Sequence, residues 1–128
     1  MKIEHIAIWT MDLERLKEFY VKYFGAQANT IYTNNKIGFK SYFLSFEEGS
    51  RLEIMQMPTI NEQKNSEIEV VGLAHFAINV GSKKEVESLT KRLRDEGYEV
   101  LSEPRTTGDG YFESVISDPD GNRVEITI

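Results

Sequence analysis

Four residues carry the chemistry that stands out in this 128-residue chain: His5, Glu53, His75 and Glu125. A repeat places them. His5-Ile6-Ala7-Ile8 opens a first copy, which closes on Gly49-Ser50-Arg51-Leu52-Glu53-Ile54. His75-Phe76-Ala77-Ile78 opens a second, which closes on Gly121-Asn122-Arg123-Val124-Glu125-Ile126. The chain has two histidines, and each holds the same place in its copy. Self-similarity of this kind marks a duplicated module. Duplicating one imidazole and one carboxylate yields two nitrogen and two oxygen ligands, a set that suits one divalent metal ion. The ligand types do not choose among Ni, Zn, Mn, Fe, Co or Mg. The chain has no cysteine, which excludes disulfides, thiolate zinc sites and a cysteine nucleophile. A buried carboxylate needs a cation nearby, so the competing reading pairs Glu53 with Arg51 and Glu125 with Arg123.

The elements that must position these ligands follow from periodicity. Residues 2–9 alternate as a strand, with His5, Ala7 and Trp9 on one face. Thr10 or Asp12 offers an N-cap, Leu13, Leu16, Phe19, Tyr20 and Tyr23 recur at helical spacing, and Gly25 supplies the stop. Strands are predicted over 27–33, 37–47 and 51–57, with a turn at Asn34-Asn35 and a hairpin turn at Glu48-Gly49-Ser50. On the last of these, Arg51, Glu53, Met55 and Met57 share a face; Gln56 interrupts the apolar face opposite. Residues 73–80 begin the same order again. Ser82 and Glu85 form a capping box ahead of a helix bearing Val86, Leu89 and Leu93, and Gly97 ends it. Strands at 98–103, 111–117 and 123–128 complete the set, separated by the polar loop Arg105–Gly110 and the turn Asp118-Pro119-Asp120-Gly121-Asn122. The fold class is therefore α+β: two βαβββ modules, a curved, antiparallel-rich sheet with helices outside and the ligands inside. Module 1 spans about residues 1–57 and module 2 about 73–128. The linker, about 58–72, has a possible short strand at Ile68–Val71. By length the whole is a single domain.

Other residues on the ligand face are candidates for the lining of a substrate pocket: Trp9, Met55 and Met57 as wall, Asn79, Thr127 and Tyr111 as weaker polar lining. Arg105, in the loop to Gly110, is a candidate contact for a substrate anion. Tyr20, Tyr23, Leu89 and Leu93 are assigned to the core. The net charge of −6, with scattered lysines and arginines, argues against nucleic acid or an anionic membrane as partner. There is no signal-peptide pattern at the N-terminus and no apolar run approaching the roughly 20 residues of a membrane span, so the expected compartment is the cytoplasm.

With these residues in place, the chain resembles the vicinal oxygen chelate superfamily: glyoxalase I, extradiol dioxygenases, fosfomycin and bleomycin resistance proteins, and methylmalonyl-CoA epimerase. The resemblance rests on His5-Ile6-Ala7-Ile8, Asp12-Leu13-Glu14-Arg15 through Phe24-Gly25, Leu52-Glu53-Ile54, His75-Phe76-Ala77 and Asp118 through Glu125. It implies a cup-shaped mixed sheet and, position by position, the glyoxalase I metal ligands. It further implies a metal-dependent lyase or isomerase acting on a small α-hydroxycarbonyl or thiol-adduct substrate through an enediolate. In that reading Glu125 is the base, Glu53 its counterpart, and the enzyme a homodimer. The positions where bacterial-type glyoxalase I carries arginine and asparagine for glutathione hold Trp9 and Met57 here, which counts against glutathione as the thiol. The rival readings are a metal-free small-molecule or antibiotic-binding resistance protein, and an epimerase or thiol transferase on the same metal site.

Overall fold

A computed structural model of the chain describes residues 1–62 and 71–128. The possible strand at Ile68–Val71 falls, Val71 apart, outside them. The chain divides into two compact units, Met1–Gln63 and Lys64–Ile128.

The first unit runs β1 (His5–Trp9), α1 (Leu13–Phe24), β2 (Gln27–Ala28), β3 (Tyr32–Asn34), β4 (Phe39–Ser45) and β5 (Arg51–Gln56). Its sheet has the order β1-β5-β4-β2, with β3 also paired to β4. β1 lies parallel to β5 and the other pairs are antiparallel. Of the two candidate caps, Asp12 is the one used: its carboxylate accepts the Arg15 amide at 3.0 Å, while Thr10 Oγ1 accepts the Asp12 amide. Gly25 closes the helix in the left-handed region, at φ 64°, where a Cβ would be strained. Gln56, the polar residue on an otherwise apolar face, has a structural job. Its Oε1 accepts the Leu13 amide at 3.1 Å, one of the first-turn donors that no helical carbonyl can reach. The strand predicted over 27–33 is interrupted. Ala28 pairs with Leu44 and Tyr32 with Ser41, so the chain spends one residue more than the strand opposite it. Asn29 bridges the gap, its Oδ1 accepting the Phe43 amide at 2.8 Å. Leu16, Phe19 and Tyr20 of α1 pack with Leu44, Leu52 and Ile54 into a core whose side chains are 0–3 % exposed.

The second unit runs β6 (His75–Asn79), α2 (Lys83–Asp95), β7 (Val100–Thr106), β8 (Phe112–Ser117) and β9 (Arg123–Thr127), in the sheet order β6-β9-β8-β7. β6 is parallel to β9, as β1 is to β5. Ser82 caps α2 by accepting the Glu85 amide. Val86, Thr90 and Leu93 face Ile116, Val124 and Ile126 in the core. Leu89, assigned to the core by its apolarity, is only half-buried. The i, i+4, i+7 stripe through Val86 puts Thr90 there in its place. The Thr90 hydroxyl lies 2.6 Å from both the Val86 carbonyl and Ser114 Oγ, so this buried polar pair is satisfied. Thr90→Val is expected to cost about 1–3 kcal/mol in denaturant unfolding, because it strips the buried Ser114 hydroxyl of its side-chain partner. Adding Ser114→Ala should recover part of that loss.

The polar loop starts later than predicted. Arg105 and Thr106 belong to β7, paired with Glu113 and Phe112, and the connecting loop is 107–111. Pro104 did not end the strand because β7 is an edge strand with register shifts, where a missing amide proton is tolerated. The turn after β8 is locked by Asp118, whose Oδ1 accepts the amides of Asp120 and Asn122 at 2.9 and 2.8 Å. Among the described residues no helix is long and apolar enough to cross a membrane.

Candidate functional site

Each unit builds the same pair in the same way. In the first, the parallel register sets Ala7 opposite Glu53 and His5 opposite Arg51. In the second it sets Ala77 opposite Glu125 and His75 opposite Arg123. Alternation puts histidine, alanine and glutamate on one face. The alanine methyl leaves the space across from the carboxylate open, and the imidazole two residues earlier reaches into it. His5 Nε2 stands 3.8 Å from Glu53 Oε2, and His75 Nε2 stands 3.2 Å from Glu125 Oε1. The carboxylate side chains are 15 % and 18 % exposed and the imidazoles 39 % and 44 %, so the acids are desolvated beneath more accessible rings.

Arg51 does not serve as the cation for Glu53. Its Nε and Nη2 lie 2.7 and 2.5 Å from Glu4 Oε1, and its guanidinium lies over the Phe43 ring at 4.1 Å. Glu4 in turn reaches His5, with Oε2 2.5 Å from Nδ1. The bond to His5, aided by Arg51, holds the Glu4 carboxyl below its ordinary value despite the opposing effect of desolvation. An ionised carboxylate can only accept, so His5 Nδ1 carries a proton. The Nε2 of a neutral His5 then presents its lone pair toward Glu53. Two acceptors face each other there, an arrangement relieved by a cation between them or by an imidazolium. The donor chemistry thus fits a borderline divalent ion. Two ligands each about 2.1 Å from one ion stand about 3.0–3.4 Å apart at ordinary coordination angles, which the second pair matches and the first slightly exceeds. Among the described residues no group of three or more histidine, aspartate or glutamate side chains gathers at ligating distance. Each unit accordingly offers one nitrogen–oxygen pair.

Glu125 has the more perturbed environment. Burial raises its carboxyl above the ordinary value of 4.5; His75 and Arg105 oppose the rise, while Glu113 and Asp109 add to it. The carboxylate form is therefore disfavoured in the fold. That penalty is absent below the unfolded value and sets in as pH rises through it. Glu125→Gln is expected to raise the melting temperature of metal-free protein at pH 7, with the gain shrinking below pH 4.5. Thermal scans at the two pH values check this.

The remaining candidates divide. Trp9 lies opposite Met55 on the His5–Glu53 face, and its ring meets Phe39 edge-on at 6.2 Å. Tyr32 lies 6.0 Å from Phe39, and Phe43 stands edge-on to His5 at 5.3 Å. Sequence reading did not place Tyr32, Phe39 and Phe43 beside the candidates on this face; the signal was their register across β4. Met57 lies just beyond β5, half-buried. Asn79 is engaged in the turn into α2, its Oδ1 accepting the Gly81 amide at 2.7 Å. Thr127 shares the Glu125 face, and its register partner is Glu113. Arg105 pairs across to Glu113, its Nη1 donating to Ser102 Oγ at 2.7 Å and lying 4.0 Å from Glu113 Oε1. Tyr111 sits in the 107–111 loop with its side chain exposed. Glu4 and Glu113 were also missed; an acid adjacent to a candidate ligand is the cue that would have found Glu4.

Comparison with known proteins places this geometry. The profile of the Glyoxalase/Bleomycin resistance protein/Dioxygenase superfamily matches residues 2–126. A probable trivalent organoarsenical cleaving enzyme of Bacillus subtilis is 31 % identical over 132 residues, covering 98 % of this chain and 78 % of that protein. The trypanothione-dependent glyoxalase I of Leishmania major superposes with a TM-score of 0.79 at 22 % identity, covering 99 % of this chain and 86 % of its own. A glyoxalase family protein from Enterococcus faecalis gives 0.79 at 25 %, covering 99 % and 97 %. The match along almost the whole chain, on two mixed-sheet units that repeat one histidine–glutamate pair, establishes that this chain belongs to the glyoxalase/bleomycin resistance protein/dioxygenase superfamily.

Proposed function

We propose that the two units are halves of one domain and that the chain is a divalent-metal lyase or isomerase of glyoxalase type. One ion would be held by His5, Glu53, His75 and Glu125. The substrate would be a small α-hydroxycarbonyl compound or thiol adduct. The observation that carries this reading is the recurrence, at one register in both units, of an imidazole Nε2 aimed at a desolvated carboxylate. A bound divalent ion supplies Lewis acidity, stabilising negative charge that develops on adjacent substrate oxygens.

The chain's own groups do the rest. His5 and His75 contribute nitrogen ligands from more exposed positions. Glu125 takes the proton from the substrate carbon beside the carbonyl and returns it to the neighbouring carbon. Glu53 is its counterpart in the other half. Trp9, Met55 and Phe39 would offer the substrate an apolar wall. Arg105 is the available cation for an anionic end of the substrate, and we expect a homodimer, checked by sedimentation.

A second reading, cleavage of a trivalent organoarsenical, is favoured by the relative in Bacillus subtilis. It ranks lower because trivalent arsenic seeks soft thiolates and these 128 residues contain no cysteine. The deciding experiment supplies metal-loaded protein with methylglyoxal and a panel of thiols, and separately with a trivalent organoarsenical. Turnover of a thiol adduct, with solvent deuterium incorporated at the exchanged carbon, supports the first reading. Turnover of the arsenical alone replaces it with the second.

A further inference from the structure

One interaction beside the histidine–glutamate pairs is present in one unit only. Glu4 Oε2 lies 2.5 Å from His5 Nδ1, and the other oxygen of the same carboxylate accepts Arg51 Nε at 2.7 Å. Arg51 is itself fixed against the Phe43 ring at 4.1 Å, and Phe43 meets the His5 ring edge-on at 5.3 Å. The four side chains form a closed circuit around one imidazole. The backbone secures it as well, because the Arg51 amide donates to the Glu4 carbonyl at 3.1 Å. In the second unit the position matching Glu4 is Ala74, while Arg123 matches Arg51. The duplication kept the histidine, the arginine and the glutamate ligand, and differs at the carboxylate that holds the ring.

We propose that Glu4 is a positioning residue that holds His5 in the Nδ1–H tautomer, with Nε2 unprotonated and aimed at the Glu53 side for metal ligation. The physical reason is tautomer choice. A free histidine side chain in water favours the proton on Nε2, the atom that must here be bare to bind an ion. A carboxylate at Nδ1 reverses that preference, fixes the ring's rotation and raises the basicity of Nε2. Arg51 binds the other oxygen of that carboxylate and so orients it. Glu4 is exposed, so substituting it perturbs the fold little.

This inference rests on the metal reading above, and its test separates the two. The full chain is prepared as wild type, Glu4→Ala and His5→Ala. Long-range 1H–15N spectra of the metal-free wild type should show a pyrrole-like Nδ1 and a pyridine-like Nε2 at His5. Glu4→Ala should move His5 toward the opposite tautomer and weaken Zn2+ binding about 10- to 100-fold, the usual consequence of losing an outer carboxylate partner of a ligand histidine. His5→Ala should weaken it further. Zn2+ affinity unchanged in Glu4→Ala but lost in His5→Ala overturns the role of Glu4 and leaves the metal site standing. Affinity unchanged in both overturns the metal reading and this inference together.

Discussion

Glutamine at position 125 is expected to lower kcat by about 10²–10⁴-fold, the range associated with losing a positioned general base. Zn2+ affinity should fall much less, because an amide oxygen still ligates weakly and the three other proposed donors would remain. In the proposed role the Glu125 carboxylate accepts a proton from a carbon acid activated by an adjacent carbonyl. In the metal-free chain burial raises its carboxyl, opposed by His75 and Arg105 and aided by Glu113 and Asp109. Glutamine keeps the shape and loses the exchange. The same substitution removes a desolvated charge, so turnover and apo-protein stability should move in opposite directions, as expected where function is maintained at a cost in stability. Parallel kcat and melting measurements check both. A variant that keeps full activity refutes the role of Glu125.

Phe19→Ala is expected to destabilise the fold by about 3–5 kcal/mol. Phe19 is 2 % exposed, with ring centroids 5.1 Å from Tyr20, 5.2 Å from Tyr23 and 5.8 Å from Phe24. Removing it opens a cavity beneath the face of α1 that covers β4 and β5, and those rings cannot all move to fill it. Because β5 carries Glu53, the loss should also loosen the first histidine–glutamate pair. Phe19→Leu, which keeps most of the volume, should cost under about 1.5 kcal/mol. Denaturant unfolding measures both.

The order of elements was legible because the signals were local. Asp12, Ser82 and Gly25 mark helix ends by chemistry that acts within one turn, and the strand alternation of His5-Ala7-Trp9 and His75-Ala77-Asn79 survives into the folded faces. Neighbours across strands were harder to see. Nothing near Arg51 in sequence says that its cation goes to Glu4, 47 residues away, instead of to Glu53. Phe39 and Tyr32 join the Trp9 face only once β4 is registered against β3 and β5. Gln56 read as a flaw in a strand until the helix start that it satisfies was placed beside it. Thr90 was passed over for Leu89 because hydrophobicity was weighed ahead of helix phase; the hydroxyl partner that makes a buried threonine acceptable sits on a different element. The strand read over 98–103 runs to Thr106, and only the edge position of β7 shows why Pro104 is tolerated within it. The two histidine–glutamate pairs were legible because duplication wrote one motif twice.

In the proposed function both histidine–glutamate pairs would grip a single ion. The direct measurement is Zn2+ titration of metal-stripped protein by calorimetry, for wild type, His5→Ala and His75→Ala. The account requires one tight ion per chain in the wild type and a large loss of affinity in each variant, since each histidine would supply a quarter of one coordination set. Wild-type protein that binds no divalent ion, or an ion whose binding survives removal of either histidine, contradicts it.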